Sequence, residues 1–343
     1  MTTMPRITAG VDTHLDVHVV AALDSIGGLL GVENFSADGG GYRAALRWLE
    51  SFGEVDRVGV EGTGSYGAGL TRFLLDHGVE VVEVDRPKRQ LRRRQGKSDP
   101  IDAVAAARAA LSGEANGHAK TRDGAVEAIR VLRLARCSAR KDRTQAINQM
   151  RSIITTAPEE LRSELRGLSL AKLLARASAF RPNPNRDVTS ATKLALRVLA
   201  RRVQSLQAEL QLLDAELRPL VATTAPQLVA RPGVGTDTAG AILVAAGDNP
   251  ERLRNEATFA RLCGVSPLDV SSGKQERHRL NRSGDRQANA ALWRITLVRL
   301  SSDPATRDYL ERRTKDGKTK KEAIRCLKRY IAREIYELLP MTP

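Results

Sequence analysis

Length, composition and charge limit the classes of protein to which this chain can belong. Its 343 residues, 41% of them hydrophobic, can form the cores of two or three domains. The sequence contains neither a run of eighteen apolar residues nor a secretory signal, so we expect a cytoplasmic protein without a membrane span. A net charge of +15 favours a nucleic-acid partner, and the low aromatic content of 3% favours contact with phosphates over stacking on bases.

The first part of the chain alternates strands and helices. Apolar and β-branched runs predict strands at 7–11, 17–23, 29–35, 55–60 and 79–84, and helical spacing predicts helices at 42–52 and 66–77. A further helix is predicted to begin near Asp99, because Pro100 suits the first turn of a helix. This order is typical of a ribonuclease-H-like core, so we predict an α/β domain over residues 1–125.

Four carboxylates fall at corresponding ends of these elements. Asp12 ends the first strand, Glu61 ends the fourth, and Asp99 and Asp102 lie at the start of the helix. Each alone could be a turn cap, a strand end or an acid favoured by the helix dipole. In a ribonuclease-H-like domain these ends meet, and crowded carboxylates repel one another unless divalent cations neutralise them. We therefore predict a Mg²⁺ site, with two ions that could assist phosphodiester cleavage.

Basic side chains cluster in three stretches, each of which is either a solvated surface or a phosphate-binding surface. The stretch before the acidic helix contains Arg86, Lys88, Arg89, Arg92, Arg93, Arg94 and Lys97. A long helix predicted at 124–156 carries Arg133, Arg136 and Arg140 on its basic side. The third stretch contains Lys274, Arg277, Arg279 and Arg282. We predict that all of these residues bind nucleic acid.

The middle region, residues 126–221, is predicted to be helical. Apolar residues at alternating spacings of three and four form a seam, which consists of Leu196, Leu199, Val203, Leu206, Leu210, Leu213, Leu217 and Leu220. This pattern predicts a coiled coil that joins two copies of the chain. An amphipathic helix packed within its own chain is the alternative interpretation.

The last region, residues 222–343, is predicted to be a mainly helical third domain. RPGVGTDTAG at 231–240 is typical of a helix-hairpin-helix turn, whose backbone N–H groups can bind phosphate, and also of a plain helix–helix turn. Ser271 and Ser272 precede Gly273 among many cations. A serine there could attack a phosphodiester, although the spacing alone favours an ordinary loop.

Successive motifs along almost the full length resemble the DEDD transposases of the insertion sequence 110 family, which are related to Piv-type DNA invertases. These motifs are GVDTHLD, VEGTGSYG, KSDPIDA, PGVGTDTA, FARLCGVSPLDVSSGK and NRSGDRQANAALWR. The resemblance implies a RuvC-like domain, a coiled coil and a C-terminal transposase domain. It also implies that the four acids bind metal, and that Ser272, directly before Gly273, is the nucleophile that links covalently to DNA. Its neighbour Ser271 is the alternative.

The same resemblance implies a reaction and its partners. Members of this family are guided by a structured bridge RNA that pairs with donor and target DNA, and they assemble a composite site across the subunits of a homodimer or a tetramer. The sequence thus predicts a DNA transposase or recombinase that depends on Mg²⁺. Two alternatives remain, which are a RuvC-like junction-resolving nuclease that uses the acids alone and a non-catalytic nucleic-acid-binding scaffold.

Overall fold

The chain divides into two compact units. The computed structural model describes residues 4–84, 98–181, 183, 187–270, 278–279 and 281–340. Unit 1 comprises Met1–Glu127, Ala245–Ser283 and Leu339–Pro343, and unit 2 comprises Ala128–Val244 and Gly284–Leu338. Residues 222–343 therefore contribute to both units. The division into three functional domains at 1–125, 126–221 and 222–343 stays a prediction.

The N-terminal part of unit 1 contains the predicted alternation of strands and helices. Its elements are β1 (Arg6–Thr13), β2 (Val17–Leu23), β3 (Leu29–Ser36), α1 (Gly39–Glu50), β4 (Glu54–Glu61), α2 (Ala68–Asp76), β5 (Glu80–Val84), α3 (Asp99–Leu111) and β6 (Gly117–His118). The six strands form one sheet in the order β3-β2-β1-β4-β5-β6. Strands β1, β4 and β5 are parallel, whereas β2, β3 and β6 run antiparallel to their neighbours. This mixed sheet is consistent with a ribonuclease-H-like domain.

The two faces of the sheet pack against different helices. Alternate residues of β1 (Ile7, Ala9 and Val11) belong to the main core, together with buried leucines of α1 and α2. Because successive side chains of a strand point to opposite faces, Gly10 and Asp12 lie on the other face. Helix α3 covers that face, with Ala103 in a small core beside β2.

Beyond β6 the described chain is mainly helical, which confirms the prediction of an α/β part followed by a helical part. The helices are α4 (Ala125–Thr155), α5 (Glu159–Leu165), α6 (Leu170–Ser178), α7 (Val188–Thr224), α8 (Pro226–Val229), α9 (Thr236–Ala246), α10 (Glu256–Leu262), α11 (Arg286–Ser302), α12 (Pro304–Lys315) and α13 (Lys320–Tyr336). A short ribbon pairs β7 (Leu268–Asp269) with β8 (His278–Arg279). Among the residues described, no helix combines the length and apolar character that crossing a bilayer requires.

The predicted coiled-coil seam lies on α7, and part of it packs within the chain. Leu196 and Val203 are fully buried in a core of unit 2 that also contains Met150 of α4 and Leu173 of α6. This packing supports the alternative interpretation, an amphipathic helix packed in its own chain, for the first part of the seam. Later in the seam the side chains of Leu206, Leu213 and Leu220 are half-buried. A coiled coil with a second copy is not confirmed.

Candidate metal centre at the ends of β1 and β4

Two glycines let α3 approach the sheet closely. Gly10 of β1 and Gly59 of β4 are directly paired across the parallel strands. A Cβ atom on Gly10 would overlap the backbone of Ala107 and Ala103 in α3, and one on Gly59 would lie 2.7 Å from the carbonyl oxygen of Ala106. Small residues on both surfaces therefore bring the helix and the sheet into backbone contact.

The same two strands place Asp12 and Glu61 next to each other. Val11 pairs with Val60, so the two acids follow at the carboxyl ends of adjacent parallel strands. Each is only 7% exposed. The hydroxyl of Thr13 donates a 2.8 Å hydrogen bond to the backbone carbonyl of Glu61, which holds the two strand ends together.

Helix α3 brings two further acids to this edge of the sheet. Asp99 and Asp102 lie in its first turn, and Pro100 occupies a position where a backbone N–H is not needed. The predicted start of this helix is confirmed. Asp102 is 7% exposed, whereas about half of the Asp99 side chain is exposed.

The electrostatics of Asp12 show that these four acids lie close enough to interact. Burial raises the pKa of Asp12 above its ordinary value, His14 lowers it, and the carboxylates of Glu61, Asp102 and Asp99 raise it further. Several carboxylates that oppose one another's ionisation fit the binding of a cation, because the cation would relieve their repulsion. Carboxylate oxygens are also the ligands that Mg²⁺ prefers.

A residue that the sequence reasoning missed, His14, also lies at this edge. Its Nε2 atom is 3.3 Å from Asp12 Oδ2 and 3.5 Å from Asp99 Oδ2. One ligand atom from each of these three residues lies within 4.8 Å of the others, as in a group that could hold a metal ion. The signal in the sequence is the spacing D-x-H in GVDTHLD. The glycines were also missed, although each stands two residues before an acid, in GVD and GVE.

Several predicted site residues lie outside the described residues. They are Ser271, Ser272 and the cations Arg86, Lys88, Arg89, Arg92, Arg93, Arg94, Lys97, Lys274 and Arg277. Arg279 and Arg282 are described and are exposed on unit 1. Their binding of nucleic acid stays a prediction.

The predicted basic face of α4 is partly engaged in ion pairs inside unit 2. Arg133 is buried, and its Nη1 atom lies 2.7 Å from Asp237 Oδ1. Arg136 is bound to Asp214 and also lies 3.3 Å from Asp237. Arg140 is exposed. The first two guanidinium groups therefore already have carboxylate partners, and their predicted role with nucleic acid is untested.

Comparisons with known proteins match two separate stretches of the chain. A family model for DEDD transposases of IS110 elements, described as "Transposase", matches residues 9–157. A second, described as "Transposase IS116/IS110/IS902 family", matches residues 225–311. The chain belongs to the IS110 transposase family. The first match contains the four acids, and the second contains both candidate serines of this transposase-family chain.

A curated relative supports the same assignment over a shorter stretch. The IS110-family chain is 29% identical over 144 residues to a protein named "Insertion element IS110 uncharacterized 43.6 kDa protein" from Streptomyces coelicolor. The match spans 41% of this chain and 35% of the relative. The IS110-family resemblance predicted from the motifs is thus confirmed. Membership also implies the use of divalent metal, which fits the acidic site.

Proposed function

We propose that this chain is a transposase that cleaves and exchanges DNA strands of an insertion sequence with a Mg²⁺-dependent site formed by Asp12, Glu61, Asp99 and Asp102. The observation that carries the proposal is the meeting of these four acids at one edge of the sheet, three of them only 7% exposed. Burial raises the pKa of Asp12, and the three neighbouring carboxylates add to this effect. Carboxylates that are close together repel one another and so destabilise the fold. Their presence is explained better by metal-dependent phosphodiester chemistry than by a structural role.

In this proposal the chain's own residues orient the reacting groups. Asp12, Glu61, Asp99 and Asp102 would hold up to two Mg²⁺ ions, with Asp99, whose side chain is half-exposed, on the solvent side of the site. The bound metal would supply positive charge to the phosphate that is attacked. The backbone contact between α3 and the sheet limits movement of the acids, which favours a constant geometry from one reaction cycle to the next.

The covalent step is assigned to Ser272 because of the family resemblance. Its Oγ atom would lose a proton and form a bond to phosphorus while one P–O bond of the DNA breaks and the leaving oxygen is protonated. A DNA hydroxyl would later attack the phosphoserine, which restores the serine and leaves a new phosphodiester. Each step exchanges one P–O bond for another, so no external energy source is needed. Ser271 remains the alternative nucleophile.

The proposed partners are DNA, a guide RNA and a second copy of the chain. The net charge of +15 supports a polyanionic partner, and the resemblance supports guidance by a bridge RNA, whose base pairing would provide sequence specificity. Half-buried Leu206, Leu213 and Leu220 repeat every seven residues on α7 and support a homodimer or tetramer. A cytoplasmic, DNA-associated location follows from these partners.

The metal site is tested by recombination between element ends on plasmids, with purified full-length protein, Mg²⁺ and RNA transcribed from the DNA that flanks the gene. Asp102→Asn and Glu61→Gln should each reduce strand exchange by on the order of 10³-fold, since metal ions contribute several kcal/mol to such reactions. Asp16→Asn, a change of an exposed acid four residues after Asp12 in the sequence, should keep full activity. Normal exchange by both site variants would refute the proposal.

The serine is tested by trapping the protein on DNA and separating the products on denaturing gels. We expect a covalent adduct that is lost in Ser272→Ala and kept in Ser271→Ala. Cleavage without any adduct would instead indicate the junction-resolving nuclease that uses the acids alone. Binding without cleavage, indifferent to Mg²⁺, would indicate the non-catalytic scaffold.

A further inference from the structure

His14 stands at the metal centre without being one of the family's four acids. It follows β1 directly, and its Nε2 atom faces Asp12 Oδ2 at 3.3 Å and Asp99 Oδ2 at 3.5 Å. This nitrogen is buried, although 44% of the side chain is exposed, and it makes no well-formed hydrogen bond within the described residues. The Asp12 side chain that it faces is only 10% exposed.

The two distances fit a set of metal ligands better than they fit a single orienting hydrogen bond. A histidine that merely orients a carboxylate donates one hydrogen bond, with the nitrogen about 2.7–2.9 Å from a single oxygen. Neighbouring ligand atoms around one small divalent ion, each about 2.1 Å from the metal, are instead roughly 3 Å apart. Nε2 lies at two similar and longer distances from oxygens of two acids, and all three atoms fall within 4.8 Å of one another. The three atoms are therefore close enough to one another to bind one ion between them.

We infer that His14 Nε2 is a nitrogen ligand of the ion held by Asp12 and Asp99, and that it raises the affinity of the site for Mn²⁺ relative to Mg²⁺. This inference rests on the proposed function, because it requires that the acids bind metal. Mg²⁺ strongly prefers oxygen ligands, whereas imidazole binds readily to transition-metal ions. The carboxylates thus provide the negative charge that attracts a cation, and the histidine provides the preference for one cation over another.

The test uses Mn²⁺ as the probe and the full-length protein without nucleic acid. Pulsed electron paramagnetic resonance detects a ¹⁴N nucleus bound directly to Mn²⁺, and competition with Mg²⁺ gives the ratio of the two affinities. The variants are His14→Phe, which keeps a ring but has no donor atom, and His14→Asp, which offers oxygen instead of nitrogen. His77→Phe, at an exposed histidine of the same unit, is the matched control, and all samples are measured at one pH.

The wild-type protein and the His77 variant should show the ¹⁴N signal, and both His14 variants should lack it. In His14→Phe the Mn²⁺ affinity should fall by at least about tenfold, the loss that even an outer partner of a metal ligand causes. The Mg²⁺ affinity should change by much less. In His14→Asp, Mn²⁺ should still bind, and its advantage over Mg²⁺ should be smaller than in the wild type. Retained binding in that variant shows that the protein is folded.

Two results would overturn the inference, and they differ in what they say about the proposed function. If Mn²⁺ binds and Asp12→Asn abolishes the binding, but the wild type shows no ¹⁴N signal, the metal site stands and His14 is only a neighbour of the acids. If Mn²⁺ does not bind to the wild type, or binds equally well to Asp12→Asn, the proposed metal site itself fails together with the inference.

Discussion

Two groups of partly buried charged side chains each contain an aspartate in the first turn of a helix, yet the charges around that aspartate are opposite in sign. Asp102 starts α3 in unit 1, where the acid next to it in the fold is Asp12, and Asp237 starts α9 in unit 2. The helix dipole favours a negative charge at both positions. What differs is the charge of the surrounding side chains.

At Asp237 the surrounding charges compensate one another. Burial alone would raise the pKa of Asp237, but the guanidinium groups of Arg133, Arg294 and Arg136 outweigh it, and the pKa lies below its ordinary value. Arg294 Nη1 is 2.6 Å from Asp237 Oδ2. At Asp12, in contrast, burial and three carboxylates raise the pKa, and the opposing effect of His14 does not outweigh them. The charges around Asp237 balance one another without a ligand, whereas the carboxylates around Asp12 would be balanced by a bound cation. The comparison teaches that the sign of the neighbouring charges, and not burial, separates a stabilising acid from a candidate catalytic one.

The largest expected effect comes from removing one charge of the acidic group. Asp12→Asn should reduce Mg²⁺-dependent strand exchange by on the order of 10³-fold. The same change should leave the melting temperature unchanged or raise it, because it removes a carboxylate that burial and like charges disfavour. Plasmid recombination and circular dichroism measure the two quantities. A large fall in melting temperature would show that Asp12 is structural.

The next largest effect should appear at the compensated group. Asp237→Asn leaves the Arg133 guanidinium, only 9% exposed, without its carboxylate, and we expect a loss of about 3 kcal/mol in the free energy of unfolding. Urea denaturation measures this loss, with Asp308→Asn, at an exposed acid of the same unit, as the control. A loss below about 1 kcal/mol, or a loss as large in the control, would contradict the comparison.

A smaller effect should follow from separating α3 from the sheet. Gly10→Ala introduces a methyl group that overlaps the backbone of α3, and such overpacking typically costs about 1–3 kcal/mol. Strand exchange should fall as well, because α3 carries two of the acids. Gly117→Ala is the control, since a Cβ atom there meets nothing within 4 Å. Equal stability of the two variants in urea would show that close packing is unimportant.

The smallest expected effect concerns His18, a buried ring in β2 that stacks on Tyr42. Burial lowers its pKa below the ordinary value of 6.5, and a contact with the backbone of Val17 only partly offsets this. The folded state therefore binds fewer protons than the unfolded state. The contribution of neutral His18 to the free energy of unfolding is therefore fully present above pH 6.5. It should be lost as the pH falls below 6.5, by at most about 1.4 kcal/mol per pH unit.

His18→Phe should make the free energy of unfolding less dependent on pH in this range. Urea denaturation at several pH values measures the slope, and His118→Gln, at an exposed position, should retain the slope of the wild type. An unchanged slope in His18→Phe would assign the pH dependence to other groups.

The sequence by itself determined the order of the strands and helices, the start of α3 and the family. These depend on short-range rules, since apolar residues alternate along β1 and β4, and Pro100 suits a first helical turn. It also predicted that Asp12, Glu61, Asp99 and Asp102 would share one edge of the sheet, because the ends of parallel strands meet there. Their roles, and that of Ser272, stay predictions.

Only the tertiary structure decided which charges meet and which faces are buried. The spacing of α4 suggested a basic surface, but Arg133 and Arg136 pair with Asp214 and Asp237, about 80 to 100 residues away. The heptad pattern could not separate packing within the chain from a coiled coil, because both require the same apolar stripe. His14 is a candidate ligand because the fold places it beside Asp99, which lies on α3. Such contacts join residues that are distant in sequence, and no local pattern records them.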